Sequence, residues 1–411
     1  MDKDNTIKKN MLFNTTGSAV YFACQWLLLI VVVHITDYSE AGLLSLATNV
    51  TASPYIIALY GMRNYQVSDI EGKFSDRVYF LSRILSSIIA MSVCLIMIVI
   101  GRYDLRKSLV ILAYMIFKII EAFSDYYYGL EQKINRMDYS GVSLAIRGTA
   151  TLAAFIVSYW FMKNLLVSLA LMICFSLGVI IFYDIRILRK YYDEDVSKGK
   201  RGEVSVLMKE CFPLAFVSYL NNFSIVLPRI MLEHYHGEEI MGYYSSVASP
   251  TSVIQLLATN LFAPLILVLT IHYNEKNVKK FTGILKRFFA GALIVSIVCV
   301  AAADIMGEWV LVLLFKPQIR PYVYLFVPVI IMTVFMALNS CLFGICTLMR
   351  AMKEQYIRGA VGVVSSFAAS LFLVKRYGAM GVVYASMIAI MFQMLLQLSV
   401  IVRKLKVIKD C

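Results

Sequence analysis

Long apolar blocks alternate with short polar segments along this chain of 411 residues. A helix needs about 20 mostly apolar residues to cross the ~30 Å hydrocarbon core of a bilayer. Backbone amides find no water partners in hydrocarbon, so each block of that length is predicted to be a transmembrane helix. The predicted spans are 12–33, 43–62, 78–100, 108–128, 142–162, 165–183, 211–231, 245–271, 284–303, 323–347, 357–374 and 379–402.

The longest polar segment lies at the middle of the chain and divides six spans from six. The predicted fold is therefore an all-α integral membrane protein, with about 12 helices in two pseudo-symmetric six-helix lobes around a central cavity. A short sequence similarity between residues 34–42 and 234–242 agrees with a parallel duplication of the two halves of the chain, an architecture that is known among transporters. The expected parts are an N-lobe at 1–183, a basic cytoplasmic linker at 184–210, a C-lobe at 211–403 and a cytoplasmic tail at 404–411.

Composition and charge agree with a membrane protein. Apolar residues make up 60% of the chain and charged residues 16%, against ~45–50% and ~25% in soluble domains. The net charge of +13 is unevenly placed: 27 Lys and Arg fall in segments on one side of the predicted membrane, 8 on the other side and 4 within spans. Cytoplasmic loops carry the excess of Lys and Arg, so both termini are predicted to be cytoplasmic and no nucleic-acid partner is expected.

Motifs of enzyme chemistry are absent from the sequence. There is no GxxxxGK[ST] phosphate loop, no HExxH pair and no GxSxG nucleophile elbow. The eight cysteines are scattered singly, and the four histidines fall near the ends of spans. We expect a transporter rather than an enzyme, without cofactor or bound metal; a coupling ion, Na⁺ or H⁺, stays open.

Ionisable residues inside the predicted spans are the main candidates for function, because a charge at the bilayer centre is costly. Lys118 lies halfway along the fourth span, and Glu121 and Asp125 follow on the same helix face. They form either an internal ion pair or a polar stripe that faces a substrate cavity. Three ionisable groups exceed what one ion pair requires, so the cavity is favoured.

Further polar residues in spans leave two interpretations open. Arg147 either lines the cavity or extends to the membrane surface, and for Arg83 extension to the surface is expected. Arg229, Asn222 and Asn14 either line the cavity or join helices by polar contacts. Cations outnumber anions in this set. Such a cavity concentrates an anionic ligand, and the planar fork of arginine matches phosphate oxygens.

The end of the second span carries a recognisable motif. Residues 61–69 read Gly-Met-Arg-Asn-Tyr-Gln-Val-Ser-Asp. This resembles the G-x-R-N-Y-Q-x-S-D stretch of Wzx-type polysaccharide-unit flippases, which share a superfamily with the MATE antiporters and the lipid II flippases. The Asn-Thr-Thr-Gly-Ser stretch in the first span and the twelve-span layout are similar as well.

The resemblance implies a flippase in the bacterial cytoplasmic membrane. It would move undecaprenyl-diphosphate-linked oligosaccharide from the cytoplasmic to the external leaflet, for capsule, O-antigen or another surface polymer. Besides this substrate and the membrane lipids, polymerases and glycosyltransferases of the pathway are the expected partners, and a monomer is expected. Arg63 could contact the diphosphate or pair with Asp69 as a gate. The expected cytoplasmic gate comprises Arg63, Asn64, Gln66, Asp69 and Arg83.

Two alternatives remain at this stage. One is an ion-coupled exporter of small cationic drugs; Lys118 and Arg147 oppose a cationic ligand, whereas Glu121 and Asp125 do not. The other is a non-transporting membrane component or a polymerase of a polysaccharide assembly system. Polymerases usually carry a large external loop, and the longest predicted here, 304–322, is short and partly apolar.

Overall fold

The computed structural model describes residues 3–69, 72–189, 201–349 and 351–410, and within those ranges it contains helices and no β-strand. Nine helical stretches among the described residues are long and apolar enough to cross a membrane. The predicted all-α integral membrane fold is confirmed.

The first compact unit of the chain is Met1–Asn222. It is built from one long helix after another, with short connections. Its helices are α1 Lys3–Ile35, α2 Tyr38–Leu59, α3 Met62–Ser68, α4 Asp76–Gly101, α5 Leu105–Lys133, α6 Met137–Met162, α7 Leu165–Val179 and α8 Ile185–Leu188, and it ends within α9 Arg201–Ala248.

The second compact unit is Phe223–Cys411. It takes the remainder of α9 and continues with α10 Ser252–Asn274, α11 Val278–Leu314, α12 Phe326–Leu348 and α13 Met352–Asp410. Two of these helices contain a break: Gly237 in α9 has φ 83° and Gly378 in α13 has φ 56°. Glycine adopts such backbone angles without a steric penalty. The breaks fall in the predicted loops 232–244 and 375–378, between pairs of predicted spans.

The predicted linker at 184–210 includes helix at both ends. Asp184 closes a π-helical turn, Ile180–Asp184, which joins α7 to α8, and the last ten residues of the segment are the start of α9. Residues 190–200 lie outside the described part of the chain. Helices continue past the apolar block because backbone hydrogen bonding does not depend on hydropathy.

A tight turn between α2 and α3 positions the motif at 61–69. Tyr60 and Gly61 both have left-handed backbone angles, φ 50° and 64°, and the Tyr60 amide donates to the Ile56 carbonyl at 2.9 Å. The left-handed pair ends α2 and starts α3 in a new direction. The short α3 then packs on α5, so Arg63 lies beside the ionisable face of that helix.

Helices α1 and α6 approach closely through two glycines. A Cβ added at Gly17 would lie 1.8 Å from the Gly141 carbonyl oxygen, and one added at Gly141 would lie 2.2 Å from the Phe13 carbonyl oxygen. Small residues let helix backbones meet in membranes, where dispersion contacts replace a hydrophobic driving force. The crossing fixes the start of α6, which carries several residues of the site described below.

Candidate substrate-binding site

Asp125 on α5 joins two arginines from different helices. Its Oδ2 accepts from Arg83 Nη2 on α4 at 3.0 Å, and its Oδ1 accepts from Arg63 Nη1 on α3 at 3.4 Å. Arg83 Nη1 also donates to the carbonyl oxygens of Ala58 and Leu59, each at 2.7 Å. These carbonyls close the last turn of α2, so Arg83 satisfies acceptors that the helix end leaves open.

Arg83 and Arg63 differ in burial and in role. The Arg83 side chain is 1% exposed, which corrects the expectation that it extends to the membrane surface. The Arg63 side chain is 29% exposed, donates to Gln132 Oε1 at 3.1 Å and lies 5.9 Å from the Tyr128 ring. Arg83 is therefore fixed by several acceptors, whereas Arg63 is partly accessible and held by longer contacts.

Lys118 forms an ion pair within α5. Its Nζ lies 2.6 Å from Glu121 Oε2, with the two side chains 17% and 7% exposed. The ammonium also lies within 5.2–5.5 Å of three aromatic ring centroids, those of Tyr55, Tyr114 and Phe117. Such ring faces attract a cation. Of the three residues predicted on one face of α5, Lys118 forms an ion pair with Glu121, whereas Asp125 forms ion pairs with the two arginines.

Arg147 on α6 pairs with a carboxylate that sequence reasoning assigned to the linker. Its Nη2 lies 3.1 Å from Asp184 Oδ2, and the two side chains are 2% and 0% exposed. Its guanidinium also lies 5.7 Å from the Tyr128 ring. The π-helical turn that ends at Asp184 adds one residue to the helix repeat, and such turns occur frequently at functional sites.

Glu131 is a second carboxylate that the sequence did not single out. It lies in the last turn of α5, is fully buried, and accepts from Ser140 Oγ at 2.5 Å. One turn further along α6, Ser143 Oγ lies 3.1 Å from the Tyr128 hydroxyl. A signal was present: Glu131 follows Asp125 by six residues in a helix that runs past the predicted end of the fourth span.

Charges in this part of the first unit are balanced. Four cations and four carboxylates take part: Arg63, Arg83, Lys118 and Arg147 with Glu121, Asp125, Glu131 and Asp184. The sequence suggested more cations than anions, and the structure does not show this, because two of the carboxylates lie where the sequence predicted loops. An anionic ligand must therefore compete with carboxylates for the arginines.

The expected gate residues serve different purposes. Asn64 is exposed, and Gln66 is 1% exposed, with its Oε1 close to Gly129 of α5. Asp69 accepts from the amides of Lys73 and Phe74, at 2.7 and 3.0 Å. Asp69 therefore stabilises the connection to α4. The ion pair between Arg63 and Asp69, which the sequence analysis left open as a gate, is absent, because Arg63 pairs with Asp125 instead.

The pKa of Asp69, outside the helical spans, reflects these contacts. Burial would raise the pKa, but hydrogen bonds from the Phe74 and Lys73 amides and from the Tyr79 hydroxyl outweigh it, and the pKa is lowered. Hydrogen bonds to the ionised form produce this direction of shift. The carboxylate is therefore a structural acceptor at neutral pH.

Three candidate residues lie apart from the ion pairs. Asn14 is partly exposed where α1 crosses α6, and Asn222 Oδ1 accepts from Ser53 Oγ of α2 at 2.9 Å. Arg229 belongs to the second unit, with its guanidinium 5.9 Å from the Tyr244 ring. The described contacts of these residues give no geometry for a shared ligand with Arg63 or Lys118.

A buried polar network in the second unit was also missed. Arg358 lies on α13, in a segment that the sequence analysis predicted to be a loop. Its side chain is 1% exposed and donates to Gln393 Oε1 at 3.2 Å. Gln393 also accepts from Asn339 Nδ2 at 2.8 Å and donates to Ser224 Oγ at 3.0 Å. Among the described residues, this cation donates to an amide oxygen and not to a carboxylate, and its Nη2 has no hydrogen-bond partner, in contrast to the ion pairs of the first unit.

The long apolar helices with buried ion pairs define a multi-pass membrane protein, and comparison with solved structures gives the class of fold. The chain is similar to a multidrug-resistance MATE transporter of the MOP superfamily in its inward-facing conformation, with TM-score 0.64, 12% identity, and coverage of 97% of this chain and 95% of that one. The outward-facing conformation gives TM-score 0.62 at 13% identity, covering 100% and 97%. A MOP superfamily transporter from Pyrococcus furiosus, described as having a binding pocket of reverse polarity, gives TM-score 0.62 at 12% identity, covering 100% and 96%. The chain shares the fold of these solved structures.

The chain belongs to the family of polysaccharide biosynthesis proteins, whose model matches residues 7–267. It is 24% identical, over 320 residues, to the capsular polysaccharide biosynthesis protein CapF of Staphylococcus aureus, covering 75% of this chain and 78% of that one. The resemblance inferred from the motif at 61–69 is confirmed at the level of the family.

Proposed function

We propose that this protein is a flippase that carries undecaprenyl-diphosphate-linked oligosaccharide from the cytoplasmic to the external leaflet of the bacterial cytoplasmic membrane. The observation that carries the proposal is the group of arginine and lysine side chains between helices α2–α7 of a polysaccharide biosynthesis protein. A diphosphate cannot cross ~30 Å of hydrocarbon without such polar partners.

The two accessible cations are the best candidates to bind the diphosphate. Arg63 and Lys118 are 29% and 17% exposed, whereas Arg83 and Arg147 are nearly inaccessible and tied to carboxylates. A planar guanidinium donates two parallel hydrogen bonds to phosphate oxygens, so Arg63 supplies geometry as well as charge. Arg83 and Arg147 then position the helices around it.

Aromatic side chains beside these cations suit the sugars of such a substrate. Tyr55, Tyr114 and Phe117 surround the Lys118 ammonium. Tyr114 and Phe117 are buried, whereas Tyr55 is partly exposed, so the Tyr55 ring is the candidate to stack on the apolar face of a sugar while the adjacent cation holds an anionic group. Solved transporters with this fold adopt inward-facing and outward-facing conformations, and this supports alternating access as the means of transport. Both termini are proposed to be cytoplasmic, and the glycosyltransferases and polymerase of the pathway act before and after this step.

Complementation of surface polymer in a deletion strain tests the proposal. Arg63→Ala and Lys118→Ala should each reduce surface polymer at least tenfold at normal protein level. Lys209→Ala, which removes an exposed lysine on α9 in the same unit, is the matched control and should leave polymer unchanged. Normal polymer in both site variants would overturn the proposal, and restored resistance to cationic drugs in a sensitised host would favour the exporter instead.

A further inference from the structure

Glu131 is a fully buried carboxyl that no step of the proposed function uses. Its Oε2 accepts from Ser140 Oγ at 2.5 Å, while its Oε1 has no hydrogen-bond partner in the described structure. A buried polar atom without a partner costs the full desolvation of that atom. Its position at the junction of α5 and α6 therefore calls for a functional explanation.

The other three carboxyls of the site each have a cation. Glu121 pairs with Lys118, Asp184 with Arg147, and Asp125 with two arginines. Among the side chains that the structure describes, no Lys or Arg nitrogen lies within ion-pair distance of Glu131. An isolated buried carboxylate is far less stable than the neutral acid, so Glu131 is suited to hold a proton.

Charged groups around Glu131 set when that proton is held. Burial is the strongest influence against the ionised carboxylate, and the hydrogen bond from Ser140 favours it. Asp184 at the π turn opposes the ionised form, Arg63, which donates to the adjacent Gln132 Oε1 at 3.1 Å, favours it, and Asp138 of α6 opposes it. Asp184 is neutralised by Arg147, Asp138 binds its own neighbour Arg136 at 2.9 Å, and the Tyr183 phenol also faces this carboxyl. Arg63 is thus a described cation beside Glu131 whose charge favours the ionised form.

We propose that Glu131 is a proton-binding group of the transport cycle, and that an anionic ligand at Arg63 drives proton uptake by its carboxylate. The inference rests on the proposed function, because it takes Arg63 as the ligand-binding residue. When phosphate oxygens neutralise Arg63, the ionised carboxylate loses its attractive charge and takes one proton from water. When the ligand leaves, the positive charge of Arg63 again favours the ionised Glu131 carboxylate, which releases its proton to water. Because the coupling is reciprocal, protonation of Glu131 also strengthens ligand binding.

Calorimetry on the purified full-length protein tests this linkage, with farnesyl diphosphate as the probe. Binding enthalpies in two buffers of different ionisation enthalpy give the number of protons taken up per ligand bound. The wild type should take up more protons than Glu131→Gln, by close to one per site. Titration of the ligand itself is common to both proteins and cancels in the difference. Equal uptake in the two proteins would overturn the proposal.

Glu121→Gln is the matched control, because Glu121 is also a buried α5 carboxyl but has a lysine partner. It should keep the extra proton uptake of the wild type. If the uptake disappears in Glu121→Gln and persists in Glu131→Gln, the proton belongs to Glu121 and the assignment is wrong.

Infrared spectroscopy without ligand separates this inference from the proposed function. In the ligand-free wild type, a carboxylic acid C=O band that Glu131→Gln lacks should be present at low pH and disappear as the pH rises through the titration of Glu131. The calorimetry is done above that pH, where the carboxyl is ionised before the ligand binds. Absence of such a band at every pH would overturn the inference even if no protein binds farnesyl diphosphate. Absence of binding alone would count against the proposed function. Should Glu131→Gln fail to fold, Ser140→Ala serves instead, since it removes the hydrogen bond that favours the ionised form. That band should then persist to higher pH than in the wild type, and an unmoved titration would contradict the proposal.

Discussion

Arg147 on α6 and Asp184 at the end of the π-helical turn form an ion pair at 3.1 Å, with both side chains almost completely inaccessible. Attraction between such charges is strong in a low-dielectric interior, but both groups also lose their hydration. The pair fixes α6 against the end of α7, next to the Tyr128 ring.

Removing one member of this pair should destabilise the protein more than removing both. Arg147→Met or Asp184→Leu alone leaves an unpaired buried charge and should cost about 3–5 kcal/mol, whereas the double variant should recover most of that loss. Thermal unfolding of the detergent-solubilised variants, analysed as a double-mutant cycle, measures the coupling. Additive effects would show that the two side chains do not depend on each other.

Arg83 and Arg63 share Asp125, but truncation of Arg83 should destabilise the protein much more than truncation of Arg63. Arg83→Ala removes the group that satisfies the end of α2 and leaves Asp125 without its shorter bond, so a loss of about 3–5 kcal/mol is expected. Arg63→Ala should change stability by about 1 kcal/mol or less, because its side chain is partly solvated. Size-exclusion profiles of fluorescent fusions report this difference; a collapse of the Arg63 variant would assign it a structural role.

The glycine crossing of α1 and α6 should not accept a methyl group. Gly141→Ala places a Cβ against the Phe13 carbonyl and should cost about 1–3 kcal/mol by overpacking. Gly291→Ala is the matched control, since that helical position in α11 has open space around it and should gain roughly 0.5–1 kcal/mol. Unfolding temperatures of the two variants should move in opposite directions, and a neutral Gly141→Ala would contradict the close approach.

The loop tied by Asp69 should open in acid. The folded-state pKa of Asp69 is lowered from its ordinary value of 3.8, so its stabilisation is fully present above that pH and is lost as pH falls through the lower folded value. Limited proteolysis of the connection between α3 and α4 with an acid-active protease measures this. Asp69→Asn should be cleaved equally fast at all pH values tested, and an acid-independent wild type would exclude Asp69 as the controlling group.

The amino-acid sequence by itself determined the class of this protein. Apolar blocks of spanning length leave no alternative to transmembrane helices, because hydrocarbon offers the backbone no hydrogen-bond partners. A charge within such a block is conspicuous for the same reason, so Lys118 and Arg147 were recognised without a structure. The motif at 61–69 added the family.

Only the tertiary structure decided which charges meet. Glu131, Asp184 and Arg358 lie in segments that read as polar loops, yet helices extend through them and bury all three. Hydropathy measures how a segment partitions between water and lipid, whereas an ion pair depends on distances between helices that are remote in sequence. Asp125 shows the consequence: one helix turn from Glu121 on the same face, it binds arginines of α3 and α4, because packing and not spacing brings those helices to it.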